Sequence, residues 1–303
     1  MLQSMQKFLR RVSDYTLTPM PKMLRLATRA PGLGDPTSMR HVYRIGDVEV
    51  TRMTDTRQRV LALFEEFPEQ YFTLKELAEA AEVTTSVVRG LVKLGAVAEH
   101  ATPQDMPFPL LDPSLPGKKL SGDQEAAVEY LKGNEAGYST TLLKGVTGSG
   151  KTEVYLEAVS ACLKQGRQAL VLLPEIALTS EFLTRVEARF GARPAEWHSG
   201  VTMTERRRTW KMVGQGNAQM VVGARSALFL PFQDLGLIVV DEEHDTSYKQ
   251  EDGVLYNARD MAVLRASLVG GQVVLASATP SLESWANVES GKYRKIDLKS
   301  RFG

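Results

Sequence analysis

Cysteine is almost missing from this chain: Cys162 is the single one in 303 residues. One thiol excludes an internal disulfide and any cysteine-rich zinc site. It suits a reducing compartment. Histidine is scarce as well. His41, His100, His198 and His244 are the four, and none stands at ligand spacing from another, so no zinc site or other structural metal cluster is expected. Long hydrophobic runs are absent. Ala169–Pro174 and Leu235–Val240 are the longest apolar stretches, far short of the roughly 20 residues a membrane-spanning helix needs. No membrane partner is expected. Lys7, Arg10 and Arg11 stand near residue 1 with no apolar block behind them, so no secretory signal is expected and the cytoplasm is the expected location. Nor does one sign of charge dominate: 37 Lys+Arg against 36 Asp+Glu leaves +1. Binding to nucleic acid by bulk charge is excluded, and any such contact must come from local patches.

A hydrophobic share of 43% with 24% charged residues is enough for a sizeable core. The length suits two or three domains. Five of the 14 prolines (Pro103, Pro107, Pro109, Pro113, Pro116) fall between Ala101 and Lys119. Proline removes donors and disfavours helix, so residues 101–119 are expected to be an extended linker. Residues 1–45 hold Lys7, Arg10, Arg11, Lys22, Arg25, Arg29, Arg40 and Arg44 against Asp14 and Asp35. This basic segment either contacts phosphates or is a solvated terminus.

Residues 46–100 carry the pattern of a small helical domain. Asp55–Phe67 is amphipathic through Val60, Leu63, Phe64 and Phe67. Thr73-Leu-Lys-Glu76 fits a capping box opening a second helix to about Ala81. Thr84–Leu94 follows after a short break, with Val87, Val88, Leu91 and Leu94 inward. Two helices joined by a tight turn make a helix-turn-helix, and Ala96–His100 fits a wing strand. The outward Thr84, Thr85, Arg89 and Lys93 suit DNA reading; a packing or protein-contact module fits equally.

From about Lys118 onward, apolar strand runs alternate with amphipathic helices. The strands are Thr140–Lys144, Gln168–Leu173, Gln219–Gly223, Leu237–Asp241 and Gln272–Ser277, and the helices include Lys151–Gln165, Glu175–Phe190 and Thr204–Gly214. Continuous Val/Leu/Ile runs suit a parallel sheet covered on both faces. Residues 120–303 are expected to form a doubly wound α/β domain with its ligand crevice at the carboxyl ends of the strands.

Gly145-Val-Thr-Gly-Ser-Gly-Lys151-Thr152 fits the Walker A pattern, with a strand before it and a helix after it. Glycines at 145, 148 and 150 let the backbone curl until its amides face a phosphate. The helix N-terminus adds a favourable dipole. Lys151 supplies a point charge for the β and γ phosphates, and Thr152 a hydroxyl for Mg²⁺. Gly145, Thr147, Gly148, Ser149, Gly150, Lys151 and Thr152 are the candidate ATP contacts. Leu237-Ile-Val-Val-Asp241-Glu242-Glu243-His244 is a hydrophobic strand ending in acids, the Walker B arrangement. Asp241 would hold Mg²⁺, mostly through water, and Glu242 would orient or deprotonate the attacking water. His244 either senses the γ-phosphate or caps the loop. Ser277-Ala-Thr279 follows another buried strand. Its hydroxyls suit bonds to the acidic pair and to nucleic-acid backbone.

These three stretches resemble motifs I, II and III of the superfamily 2 helicases. The spelling Asp-Glu-Glu-His, with Thr246–Gln250 and Tyr256–Asp260 beside it, resembles the replication-restart helicases of bacteria. Leu172–Thr179, His198–Gly200, Val222–Phe229 and Ala276–Ser281 add to the resemblance, which covers residues 118–303. It implies a RecA-like first helicase lobe with ATP and Mg²⁺ as cofactors, and a winged-helix domain at residues 46–100. It implies that Gln124 contacts adenine and that Arg225 and Ser226 touch single-stranded DNA. It further implies that the loop Ser247–Arg259, with Tyr248, Lys249, Tyr256 and Arg259, couples DNA binding to hydrolysis. Tyrosines can stack on splayed bases and the cations can meet phosphates; Ser277 and Thr279 share this DNA-side role. Single-stranded and forked DNA, primosome proteins and single-strand-binding protein are the implied partners.

Members of the family carry a DNA-binding domain ahead of this part, of which residues 1–45 would be a remnant. They also carry a second lobe and a cysteine-rich zinc element behind it. The chain is therefore expected to be part of a 3′→5′ DNA helicase or translocase. An arginine finger from a second lobe is worth about 10³–10⁵ in rate, so residues 1–303 alone are expected to hydrolyse ATP slowly. The alternative is a nucleotide-gated DNA-binding module without motor activity.

Overall fold

A computed structural model describes residues 3–30, 32–34, 38–68, 70–133 and 137–299. They form two compact units. The larger joins residues 1–33 to 107–303, and the smaller spans 34–106. No helix among the described residues is long and apolar enough to cross a membrane.

The chain starts with α1 (Gln3–Thr16) and α2 (Met20–Ala27). Met5, Phe8, Leu9 and Val12 recur at helical spacing, so α1 has one apolar stripe, and all four are buried. That stripe is part of the larger unit's core. The Phe8 ring lies 5.6 Å from that of Phe229, and Trp210 Nε1 donates to the carbonyl of Ala27 at 2.6 Å. The Arg265 guanidinium lies over the Phe8 ring and donates to the carbonyls of Leu228 and Leu230. Burial pulls this guanidinium down to about 9.

The smaller unit is built from β1 (Met39–Ile45), α3 (Asp55–Glu66), α4 (Leu74–Ala80), α5 (Thr85–Lys93) and β2 (Val97–Pro103). The two strands pair antiparallel, from Met39 opposite Pro103 to Ile45 opposite Val97. Thr73 and Glu76 close a reciprocal capping box that starts α4. Tyr43, Val60, Phe64, Leu77, Val88 and Leu91 share one core. Thr84, Thr85, Arg89 and Lys93 are exposed.

In the larger unit the chain continues through α6 (Gly122–Lys132), β3 (Ser139–Gly145), α7 (Lys151–Lys164), β4 (Gln168–Leu172), α8 (Ser180–Phe190) and β5 (Ala195–Trp197). Next come α9 (Met203–Gly214), β6 (Met220–Gly223), β7 (Leu235–Asp241), β8 (Lys249–Gln250) and β9 (Tyr256–Asn257). The last elements are α10 (Ala258–Val269), β10 (Gln272–Ser277), α11 (Leu282–Glu289) and β11 (Arg294–Leu298). Seven strands make one parallel sheet in the order β11-β3-β10-β7-β4-β6-β5. Residues of β7 alternate between its faces: Ile238 and Val240 enter one core, Leu237 and Val239 the other. The continuous apolar run therefore buries both faces, as a doubly wound sheet requires. β3, β10 and β7 are neighbours, so the loops after Gly145, Ser277 and Asp241 open side by side at the carboxyl edge.

The domain boundaries differ from those read off the sequence. Residues 1–33 are not a separate basic segment, because the buried stripe of α1 has its partners in the larger unit. Residues 39–45 belong to the smaller unit, because β1 supplies the other half of the β2 ladder. Asp35, counted in the basic segment, lies outside the described residues. The proline-rich stretch is not a free linker. From Pro107 it lies along the larger unit, with Leu111 buried. Gln219 accepts from the Leu111 amide at 2.7 Å, and Ser160 and Arg189 donate to the carbonyls of Pro113 and Leu115. Prolines leave a strand without donors, but its carbonyls remain, and side chains of the larger unit satisfy them.

Phe8→Ala removes a buried ring from the shared core. It should destabilise the larger unit by about 3–5 kcal/mol in denaturant unfolding. A cost below about 1 kcal/mol would show that α1 is not part of that core.

Candidate active site

The loop between β3 and α7 turns through two left-handed glycines, Gly148 (φ 82°) and Gly150 (φ 80°). Gly150 caps α7, and a Cβ there would collide with the Gln124 amide. A Cβ at Gly145 would run into Ser149 Oγ. The loop thus needs glycine twice over, for backbone conformation and for space. Lys151 opens α7 and is buried, its Nζ donating to the Gly145 carbonyl at 2.8 Å. Ser149 Oγ is buried without a hydrogen-bond partner. An orphaned buried hydroxyl inside a glycine cup is a polar group placed for something outside the chain.

Gln124 is 1% exposed. Its Oε1 accepts from the Ser121 amide at 2.9 Å, and its Nε2 donates to the Ser149 carbonyl at 2.9 Å. Both ends of the amide are engaged inside the protein. The structure therefore places this residue as a brace between the start of α6 and the loop, and not as a group turned outward to a base.

Asp241 ends β7 opposite the loop. Its Oδ2 accepts from the Tyr155 hydroxyl at 2.9 Å and its Oδ1 from the Glu242 amide at 3.0 Å. Burial pushes the Asp241 carboxyl up, the Tyr155 bond pulls it down, Glu242 adds to the rise, and the Lys151 charge opposes it. The Walker lysine and the Walker carboxylate are therefore within electrostatic reach of each other. Tyr155 is fully buried, its hydroxyl held far up by burial first and by the Asp241 charge second. The Tyr155–Asp241 bond links α7 to β7. The sequence reading missed Tyr155. Its signal was there: three and four residues after Thr152 and Lys151, it lies on their side of the helix.

Glu242 has a left-handed backbone (φ 45°), rare for a residue with a Cβ. Such strain turns the chain sharply after the strand and is retained where the surroundings enforce it. His244 Nδ1 lies 2.8 Å from Ser277 Oγ and 3.6 Å from Glu242 Oε2. Ser277 is buried, and its hydroxyl also accepts from the Thr279 amide at 3.0 Å. Ser277 thus joins the second and third motifs and does not face a nucleic-acid backbone. Thr279 is exposed.

Glu243, also unassigned from sequence, is buried. It accepts from the Ser281 amide and hydroxyl and the Ser284 hydroxyl, at 2.7, 2.9 and 2.8 Å. Arg259 approaches it at 3.4 Å and bonds Asp260 and Ser281 as well. Burial works against the guanidinium's charge, but Asp260, Glu243 and Glu283 outweigh it and raise its pKa. Arg259 is thus a buried cross-link and not a phosphate contact. The two tyrosines are also internal. Tyr248 is buried, with its hydroxyl 2.6 Å from the Asp241 carbonyl and 3.0 Å from that of Leu172. Tyr256 packs edge-on against Phe229 at 5.2 Å. Neither ring is free to stack on a base. Lys249 is exposed. Arg225 donates to the carbonyls of Ser247 and Lys249 at 2.8 and 3.0 Å, and Ser226 Oγ accepts from Trp197 Nε1 at 3.2 Å. Both stay partly exposed.

A seven-stranded parallel sheet with these loops at its carboxyl edge is a RecA-like α/β lobe carrying a P-loop. The DEAD/DEAH box helicase family model matches residues 121–288, more than half of the chain, and the chain belongs to that family. It is 42% identical over 246 residues to the replication restart protein PriA of Rickettsia felis, covering 76% of this chain and 38% of that protein. The PriA of Bacillus subtilis is 41% identical over 225 residues, 73% of this chain and 28% of that protein. The chain thus spans well under half the length of these relatives. Among solved structures, a hypothetical ATP-dependent RNA helicase from Sulfolobus tokodaii is 20% identical, with a TM-score of 0.44 over 59% of this chain and 53% of that one.

Glu243→Ala takes the acceptor from the Ser281 amide and from two serine hydroxyls, and takes one of its carboxylate partners from Arg259. It should cost about 1–3 kcal/mol in unfolding, while Lys249→Ala stays within about 0.5 kcal/mol. Equal effects would refute the buried cross-link.

Proposed function

We propose that the chain is the ATP-binding lobe of an ATP-dependent DNA helicase of replication restart, stepping 3′→5′ on single-stranded and forked DNA. The observation that carries this reading is that the glycine loop leading to Lys151 and Thr152 and the strand end at Asp241 open at one edge of the sheet, with Tyr155 of α7 bonded to Asp241. A Mg-nucleoside triphosphate fits the donor set: a glycine cup, an orphaned Ser149 hydroxyl, an ammonium and a carboxylate. When bound, Mg²⁺ would neutralise charge on the β and γ phosphates. Thr152 and Asp241 would hold it, with the few protein oxygens that Mg²⁺ ordinarily takes. Lys151 would exchange the Gly145 carbonyl for phosphate oxygens. Glu242, turned out of line by its backbone and neighbouring His244, would orient the attacking water.

The DNA side of the reading rests on Arg225, Ser226, Lys249 and Thr279. Arg225 grips the backbone on both sides of Tyr248, whose hydroxyl meets the Asp241 carbonyl. A pull on Arg225 by a phosphate would reach the metal-holding strand end through its bonds to the backbone beside Tyr248 and then the Tyr248 hydroxyl bond. Tyr248 therefore couples from inside and not by stacking. The smaller unit, as a winged helix with Arg89 and Lys93 outward, would add duplex contact. Primosome proteins and single-strand-binding protein are the partners this role calls for.

Titration with a fluorescent ATP analogue and Mg²⁺ tests the site. Lys151→Ala should weaken binding by about 10–100-fold, the value of a charge-assisted bond pair; unchanged affinity would overturn the reading. A pH series tests Asp241. Its ionised form holds Mg²⁺, and burial raises its pKa, so affinity should fall on acidification at a higher pH than an ordinary aspartate dictates. Tyr155→Phe removes a bond that favours the ionised form and should move that fall to still higher pH. A shift to lower pH would contradict this role.

A further inference from the structure

The basic residues near the N-terminus take no part in the site described so far. Lys22 and Arg25 lie on α2, Arg29 follows just past its end, and all three are exposed. Lys22 and Arg25, three residues apart, share one side of α2, and Arg29 joins them in lining the same cleft. No ion pair or side-chain hydrogen bond is made by any of the three among the described residues. The group is fixed in place, because α2 buries Met23, Leu26 and Ala27 between its cations, and Trp210 bonds the Ala27 carbonyl.

The three cations line one wall of a cleft of about 220 Å³. The turn between β8 and β9 is the other wall, with Gln250, Asp252 and Gly253. Asp252 is the one carboxylate of the lining, against three cations. This hairpin is the same one whose near strand Arg225 grips. Burial pushes the Tyr256 hydroxyl of β9 up to about 12, and the two charges that oppose the rise are Arg225 and Arg29. The hairpin thus has the α2 cations along its turn and Arg225 on the carbonyl of its first strand.

We propose that Lys22, Arg25 and Arg29 form a backbone-binding subsite for single-stranded nucleic acid, the cleft taking the sugar–phosphate chain as it leaves Arg225. This rests on the DNA-binding reading of Arg225 above. Three exposed cations beside a polar wall match a phosphate-tracking groove, which reads charge and not sequence. α1 and α2 are then a DNA-contacting extension of the lobe.

The test is fluorescence anisotropy with a labelled oligothymidylate and the full chain over a range of salt concentrations. Variants are Lys22→Gln/Arg25→Gln/Arg29→Gln together, and Arg225→Gln alone. All three positions of the triple variant are exposed, and its thermal melt should match that of the parent. Each phosphate contact contributes about 0.7 to the salt slope on a single strand. The triple variant should therefore flatten the slope by about 2 and lose roughly 10²-fold in affinity at 0.1 M salt. A parental slope in the triple variant, with a reduced one in Arg225→Gln, overturns the subsite and leaves the DNA reading standing. No salt-dependent binding by the parent chain overturns both. Sedimentation with phosphatidylglycerol vesicles supplies the remaining arm. Vesicle binding that needs the three cations, with oligothymidylate binding unaffected by their loss, would overturn the subsite in favour of a lipid surface.

Discussion

The hydroxyl of Tyr155, 2.9 Å from Asp241, holds the site together. It stands in α7, one turn beyond Lys151, and reaches across to the end of β7. Without it the glycine loop and the acidic strand end would share an edge of the sheet but no bond. With it, the rotamer of the carboxylate is fixed and its ionised form is favoured against the burial that opposes it. The bond joins a fully buried hydroxyl to a partly buried carboxylate, and the hydroxyl would be costly to leave alone.

Around that link the loop after β7 works as a junction. Successive residues face different tasks: Asp241 toward α7, Glu242 turned aside, Glu243 into the core beside Arg259 and Ser281, His244 toward Ser277. Tyr248 closes the loop back onto the carbonyl of Asp241, and Arg225 fastens its far side. The arrangement ties two surfaces of the lobe by short hydrogen bonds, the physical requirement for one to sense the other.

Much of this was legible in the sequence, for reasons that can be stated. The strand runs Gln168–Leu173 and Leu237–Asp241 stand out because both faces of the sheet are covered. The glycine loop is legible because only glycine tolerates its backbone and its crowding against Gln124 and Ser149. The capping box at Thr73 is a local signal and was met locally. What failed was everything that depends on what lies opposite. β5 and β11 are short edge strands with weak patterns of their own. Tyr248, Tyr256 and Arg259 look like surface groups in a polar stretch, yet the fold turns each one inward. The prolines of residues 107–116 signalled extension correctly and freedom wrongly, because hydrogen-bond partners such as Gln219 and Arg189 come from distant parts of the chain.

The central claim is that loop and strand act as one site through Tyr155. A double-mutant cycle on Tyr155→Phe and Asp241→Asn, read by calorimetric affinity for Mg²⁺ and a non-hydrolysable ATP analogue, tests it most directly. A coupling of at least about 1 kcal/mol between the two positions is the expected result. Strictly additive losses would contradict the account.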